Sequence, residues 1–377
     1  MRTTESIEAA QTEKNTHRLH FLDGIRGWAA VVVVMHHIVA CFLSQTVVEY
    51  KHWSLLFITD GPLAVQVFFV LSGFALTIKF IEKPGHYSIA QAASARYFRL
   101  TIPVLAVSFL AYLFLKGGLM FNLEAAMPGK SVEWIGTFFT FQPDFIKMLK
   151  FALYKVFFKY NPATSYNVTL WTMPIEFAGS MLIFSICALF LPKEKGRKII
   201  LVPILLACGF FFYYRPPLSC FIFGYFLAEL YVRFRHLKNR WLNIAASLIL
   251  PTLIWICTFH RPQDERIMIL IAVLIVAAAT FSGPLKAIFS SRLSQFLGRM
   301  SFPLYLVHLL IICSWSCYWF LALPEMGFSS FAAANLIVFS TCVLSLLGAW
   351  LFAPVETFSV RLSRWIAARI TKFQLTR

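Results

Sequence analysis

Ten stretches of roughly twenty mainly apolar residues, separated by short basic segments, leave this chain few ways to fold. Over that length in hydrocarbon, only a helix satisfies its own backbone. The runs fall near 26–45, 61–80, 100–118, 171–191, 199–214, 217–232, 241–259, 266–282, 302–322 and 331–353. The expected fold is an all-α membrane protein, a polytopic bundle of about ten transmembrane helices with both termini cytoplasmic. A content of 59% hydrophobic and only 14% charged residues agrees, being far from the usage of soluble domains. The fifth and sixth runs are short and are parted by Arg215-Pro216-Pro217, so a single broken hairpin dipping into the bilayer is an alternative.

A net charge of +17 would suit nucleic acid, but the Lys and Arg fall in short clusters between apolar runs, as charge does when it sets orientation in a bilayer. Nucleic-acid binding is therefore not expected. With both ends inside, the inside segments hold 23 Lys and Arg, and the four short outside loops hold only Lys51, Arg215, Arg261 and Arg266. The eight cysteines lie in apolar stretches without a CxxC, which reads as small core residues rather than disulfides or metal ligands. Residues 1–20 are polar and lack the apolar core of a cleavable signal, so the first span serves as the targeting signal. The division expected is a polar cytoplasmic segment over 1–20, a transmembrane domain over 21–356 and a basic cytoplasmic tail over 357–377. That tail, with Arg361, Arg364, Arg369, Lys372 and Arg377, reads as a short amphipathic helix on the inner membrane surface. Residues 119–170 form the one long connection, and its 145–160 stretch suits an interfacial helix or a re-entrant segment.

The first run carries the chemistry. In "RGWAAVVVVMHH", eleven residues separate Arg26 from His37, which is three helical turns plus about 20°, so the two share a face about 16 Å apart along the axis. His36 points about 80° away. Imidazole exchanges its proton nearest neutrality, which suits abstraction of a proton from a hydroxyl. Histidines can also simply bond between helices, and an arginine at that edge can be a positive-inside anchor; the shared face is what singles out this pair.

Other spans carry polar groups. "GPLAVQVFFVLSGF" places Gln66, Ser72 and Gly73 in the second helix, where Ser-Gly permits close packing. "RYFRLTIP" sets Arg96 and Arg99 on one face at the inner surface, a pair that fits two phosphates or an ordinary basic cluster equally well. "LWTMPIEF" puts Glu176 just inside the fourth span at the outer side, where it needs a partner: a cation, the acceptor, or His37. "GRMSFPLYLVHLLI" brings His308 two turns beyond Ser301.

These segments, with "FLDGIRGWAAVVVVMHH" at the start and "SFPLYLVH" near the end, resemble in order the signature segments of the acyltransferase-3 family of integral-membrane acyltransferases, from about residue 19 to about 356. The resemblance implies transfer of an acyl group, often acetyl, from cytoplasmic acyl-CoA to a hydroxyl of a carbohydrate, lipid-linked glycan or small molecule, in a bacterial inner membrane. It carries an Arg and His motif onto Arg26 and His37, and a basic motif onto Arg96 and Arg99 as contacts for the CoA phosphates or for the inner membrane surface. Many relatives have an acidic residue where this chain has Gln66. If that carboxylate orients the base, Glu176 or Asp23 must replace it here.

The reading that follows is a membrane O-acyltransferase. Acyl-CoA, with acetyl-CoA the form the resemblance implies, is a donor substrate rather than a tightly bound cofactor, and no metal is expected. Its phosphates lie near Arg26, Arg96 and Arg99, and His37 takes the acceptor's proton, with Glu176 and His308 in the catalytic set. An acyl-histidine intermediate is a variant of this scheme. The rival is a transporter or flippase of a polar lipid or glycan, in which the same polar groups line a pathway. Membrane lipids are partners in either case.

Overall fold

A computed structural model describes residues 19–52, 57–190, 197–237, 239–260 and 262–375. The expectations for residues 1–18, for the basic loop 191–196, and for Lys238, Arg261 and Arg377 fall outside them. Among the described residues there are helices and loops and no strand. The order is α1 (His20–Met35), α2 (Gly61–Glu82), α3 (Ile89–Lys116), α4 (Met173–Phe190), α5 (Arg197–Tyr214), α6 (Pro216–Phe234), α7 (Arg240–Phe259), α8 (Glu265–Phe281), α9 (Gly283–Phe289), α10 (Arg292–Ile311), α11 (Cys317–Glu325) and α12 (Ser330–Leu375). Each of the ten apolar runs thus forms helix. Among the described residues, eight helices are long and apolar enough to cross a membrane, or nine if α8 and α9, bent by 97°, count as one span. The apolar part of α5, Val202–Tyr214, is shorter than these. The chain is an integral, multi-pass membrane protein.

The helix starts follow local chemistry. The Asp60 carboxylate accepts from the Leu63 amide at 3.1 Å and is followed by Pro62, which opens α2. Asp264 does the same for α8 through the Arg266 amide at 2.7 Å, and Ser291 for α10 through Ser294. Inside the bilayer the helices have no water to exclude, so close contact depends on small residues. A Cβ on Gly27 of α1 would stand 2.4 Å from the backbone nitrogen of Gly298 on α10, and one on Gly298 would stand 2.5 Å from the Asp23 carbonyl oxygen. Gly73 of α2 is pressed in the same way against the Phe221 backbone of α6, the close packing expected of Ser72-Gly73.

α1 divides two cores. Ala30, Val34 and Ile38 pack with α3, α10, α12 and the long connection, while Ile25, Ala29 and Val33 pack with α2, α6 and α8. An apolar helix buried on both sides is what a run like VVVV predicts. After Met35 the helix widens into a π turn over His36–Phe42, and α10 widens likewise over Ile312–Ser316, just beyond His308. Such turns are uncommon and gather at functional sites.

Two elements differ from the sequence reading. The stretch 145–158 is a short helix with a π segment, Met148, Phe151, Ala152, Val156 and Phe157 buried and Ile146, Leu153, Tyr154 and Phe158 exposed, lying along α3. The basic tail is not a separate surface helix: α12 runs unbroken from the last span through residue 357 to Leu375. Nothing in 354–361 stops it, since Pro354 is tolerated within the helix.

Candidate active site

His37 does not stand alone. Its Nδ1 lies 2.8 Å from Nε2 of His308, and Nδ1 of His308 lies 2.9 Å from the Leu304 carbonyl oxygen. A carbonyl only accepts, so His308 carries its proton on Nδ1 and, neutral, offers a bare Nε2. His37 must then donate from Nδ1, which leaves its own Nε2 without a proton. The chain of partners therefore fixes the His37 tautomer with Nε2 bare. The His37 and His308 rings are nearly coplanar, 7° apart, and Trp134 from the long connection stacks on His37 at 5.5 Å between ring centres. His308 is fully buried. The neighbouring His36 turns elsewhere, its Nδ1 donating to the Thr59 carbonyl at 2.8 Å and its Nε2 lying 3.3 Å from Cys41 Sγ.

Two cavities meet near this relay. The larger, about 650 Å³, lies among the start of α1, the later part of α2, the start of α3 and the basic end of α12. Six arginines line it, Arg26, Arg96, Arg99, Arg299, Arg361 and Arg364, against three carboxylates, Asp23, Glu176 and Glu356. The charges on Arg26, Arg96 and Arg99 repel one another, a cost that an anion between them would relieve. The smaller cavity, about 300 Å³, lies toward the opposite end of α2 and is lined by His36, His37, Gln66, Trp171 and Glu265 among others.

The expected site residues distribute over both. Arg26, Val33 and His37 form one stripe along α1, as the spacing predicts, yet Arg26 faces the larger cavity and His37 the smaller. Of the three partners expected for Glu176, the cation is the one found, and His37 is not. Glu176 forms an ion pair with Arg96, whose Nε also donates to Ser180 Oγ at 2.8 Å. The cause is the turn Val168–Thr172, which carries the chain to the floor of the larger cavity before α4 begins. Arg96 is accordingly buried and engaged, whereas Arg99 projects into the cavity. Asp23 lines the arginine cavity and so does not orient His37; Ser301 lines it too, bonded to the Gly298 carbonyl at 2.9 Å. Gln66 donates from Nε2 to Glu265 Oε1 at 3.1 Å and accepts from Cys220.

Four residues escaped the sequence reading: Arg299, Arg361, Arg364 and Glu265. The three arginines look like positive-inside residues, and Glu265 looks like a helix-start carboxylate. For Arg361 and Arg364 a signal existed, because their i, i+3 spacing continues the phase of an uninterrupted apolar helix.

Residues 19–354 match the family described as Acyltransferase domain, Acyl_transf_3. The chain is also 22% identical, over 79% of its length and 73% of the relative's, to the O-acetyltransferase PaAT-1 of Phomopsis amygdali. No solved structure matches. A helical membrane bundle holding a buried histidine pair beside an arginine-lined cavity, matched over most of its length, belongs to the acyltransferase-3 family.

Proposed function

We propose that this acyltransferase takes its acyl group from cytoplasmic acyl-CoA and passes it to a hydroxyl, with His37 as general base. The observation that carries this reading is the relay from Leu304 through His308 to His37, which leaves a bare Nε2 on a residue that lines the smaller cavity. The donor's phosphates sit in the larger cavity on Arg99, Arg299, Arg361 and Arg364, whose planar forks match phosphate oxygens. Arg26 lies on the line from there to His37. Arg96, engaged by Glu176, holds the cavity wall.

The acceptor, a carbohydrate, lipid-linked glycan or similar hydroxyl compound, occupies the smaller cavity. As its oxygen attacks the thioester carbonyl, His37 Nε2 takes the hydroxyl proton. The positive charge formed on the imidazole is shared through Nδ1 with His308 and the Leu304 carbonyl. The carbon–sulfur bond then breaks, and the CoA thiolate leaves by the arginine cavity, receiving the proton from His37 or from water.

The test is incubation of purified protein with acetyl-labelled CoA and membrane glycans and lipids, measuring label in the acceptor and thiol release. Label transfer lost in His37→Ala, with CoA still bound, supports the reading. Equal transfer by that variant, or movement of an intact glycan or lipid without acylation, overturns it.

A further inference from the structure

Val33, Val65, Thr172 and Tyr305 line both cavities. They come from α1, α2, the turn before α4, and α10, and together they form the ring between the arginine cavity and the histidine cavity. Two of them stand about one turn ahead of the relay: Val33 four residues before His37, and Tyr305 three before His308.

The ring is braced from within. Tyr305 donates its hydroxyl proton to the Thr169 carbonyl. Thr172 Oγ1 lies 2.7 Å from the Tyr305 oxygen, and since the phenol's proton is already engaged, Thr172 is the donor. Neither hydroxyl keeps a proton for a thioester carbonyl, so the pair acts as a strut rather than as an oxyanion hole. The opposite wall is two valines, whose branched side chains have little rotamer freedom to move aside. Val33 and Thr172 are almost wholly buried.

We propose that this ring measures the acyl chain, admitting an acetyl group to His37 and turning away chains of hexanoyl length. The proposal rests on the donor and base assignments above. A thioester reaching His37 from the arginine cavity must pass its acyl group through the ring. Any tail longer than a methyl then has to lie in the cavity of about 300 Å³ that the acceptor also needs. Length is thereby opposed by the volume beyond the ring, which Val33, Val65 and Tyr305 also line.

The test uses alkylating donors. In 2-bromoacetyl-CoA the bromine-bearing carbon stands next to the thioester carbonyl; His37 Nε2 attacks it, a carbon–nitrogen bond forms and bromide leaves. The companion reagent, 2-bromohexanoyl-CoA, differs by a butyl tail. Each labelling rate at His37, read by tandem mass spectrometry, is divided by that reagent's rate with free imidazole. In the wild-type protein the short reagent is expected to label His37 at least about tenfold faster than the long one, the discrimination a tight apolar pocket achieves. In the Val33→Ala/Val65→Ala variant, and separately in Tyr305→Phe, the ratio should fall several-fold. Equal labelling in the wild type, or a ratio unmoved in both variants, overturns the proposal. If CoA competes with both reagents for the protein and yet neither labels His37, the ring is no passage and the proposal fails alone. If CoA does not compete, the donor assignment fails with it.

Discussion

His37 and His308, 271 residues apart, meet nitrogen to nitrogen at 2.8 Å, and the carbonyl of Leu304 beyond them settles which ring holds which proton. The second imidazole stands where a carboxylate would hold a catalytic histidine. It fixes the tautomer without placing a negative charge in the apolar core.

His308→Phe should therefore lower turnover by about 10²-fold, the usual share of a well-oriented general base, with little change in the donor KM. His308→Gln can still accept from His37 Nδ1 through its side-chain oxygen and should recover part of that loss. Steady-state kinetics of the two variants decides the matter; equal activity in both would mean that His308 merely fills space.

The arginine cavity, proposed to hold the donor, has two kinds of arginine. Arg361→Gln and Arg364→Gln each remove a charge open to the cavity, so each should raise the donor KM about tenfold while kcat stays nearly unchanged. Arg96→Gln removes half of a largely buried pair and leaves Glu176 without its ion-pair partner, at a cost of about 3–5 kcal/mol. Its signature is a lower melting temperature in detergent, and Arg96→Gln/Glu176→Gln should regain most of the loss. Thermal scans beside donor titrations distinguish the two patterns.

How much of this was legible in the sequence depends on whether the information was local. The apolar runs and the stripe from Arg26 to His37 are each written within one helix, and they read from spacing alone. The His37–His308 relay and the Arg96–Glu176 pair join segments 271 and 80 residues apart, and no periodicity within one helix encodes them. Glu176 was misplaced for a related reason: the turn Val168–Thr172 lets α4 begin deep in the bundle, whereas a spacing argument assumes that spans start at the membrane surface. Arg361 and Arg364 were hidden by chemistry, since an arginine that holds a phosphate and one that sets orientation look alike in a chain.

The relay also depends on how closely α1 and α10 approach. Gly298→Ala would put a methyl group 2.5 Å from the Asp23 carbonyl oxygen, and the backbone there cannot yield as a flexible side chain would. The helices must part, at a cost of about 1–3 kcal/mol for overpacking. Activity should fall further than stability does, because separation lengthens the His37–His308 bond. Melting temperature and turnover measured on the same preparation test this; a fully active Gly298→Ala protein would show that the relay tolerates movement.

Glu265 is a lining carboxylate of His37's cavity, and Gln66 steers it by a bond of 3.1 Å to Oε1. With the acceptor in that cavity as proposed, the other carboxylate oxygen would accept from one of its hydroxyls. Bonds to charged groups contribute about 1.5–3 kcal/mol, so Glu265→Gln should reduce acyl transfer by about tenfold to a hundredfold. Because the arginine cavity lies at the far end of α2, CoA binding should be untouched. Acyl mass in glycan and lipid extracts of expressing cells gives the first quantity, and CoA displacement from purified protein gives the second. Full acylation by the variant would remove Glu265 from acceptor binding, and joint loss of both readouts would mark it as a residue that only supports the fold.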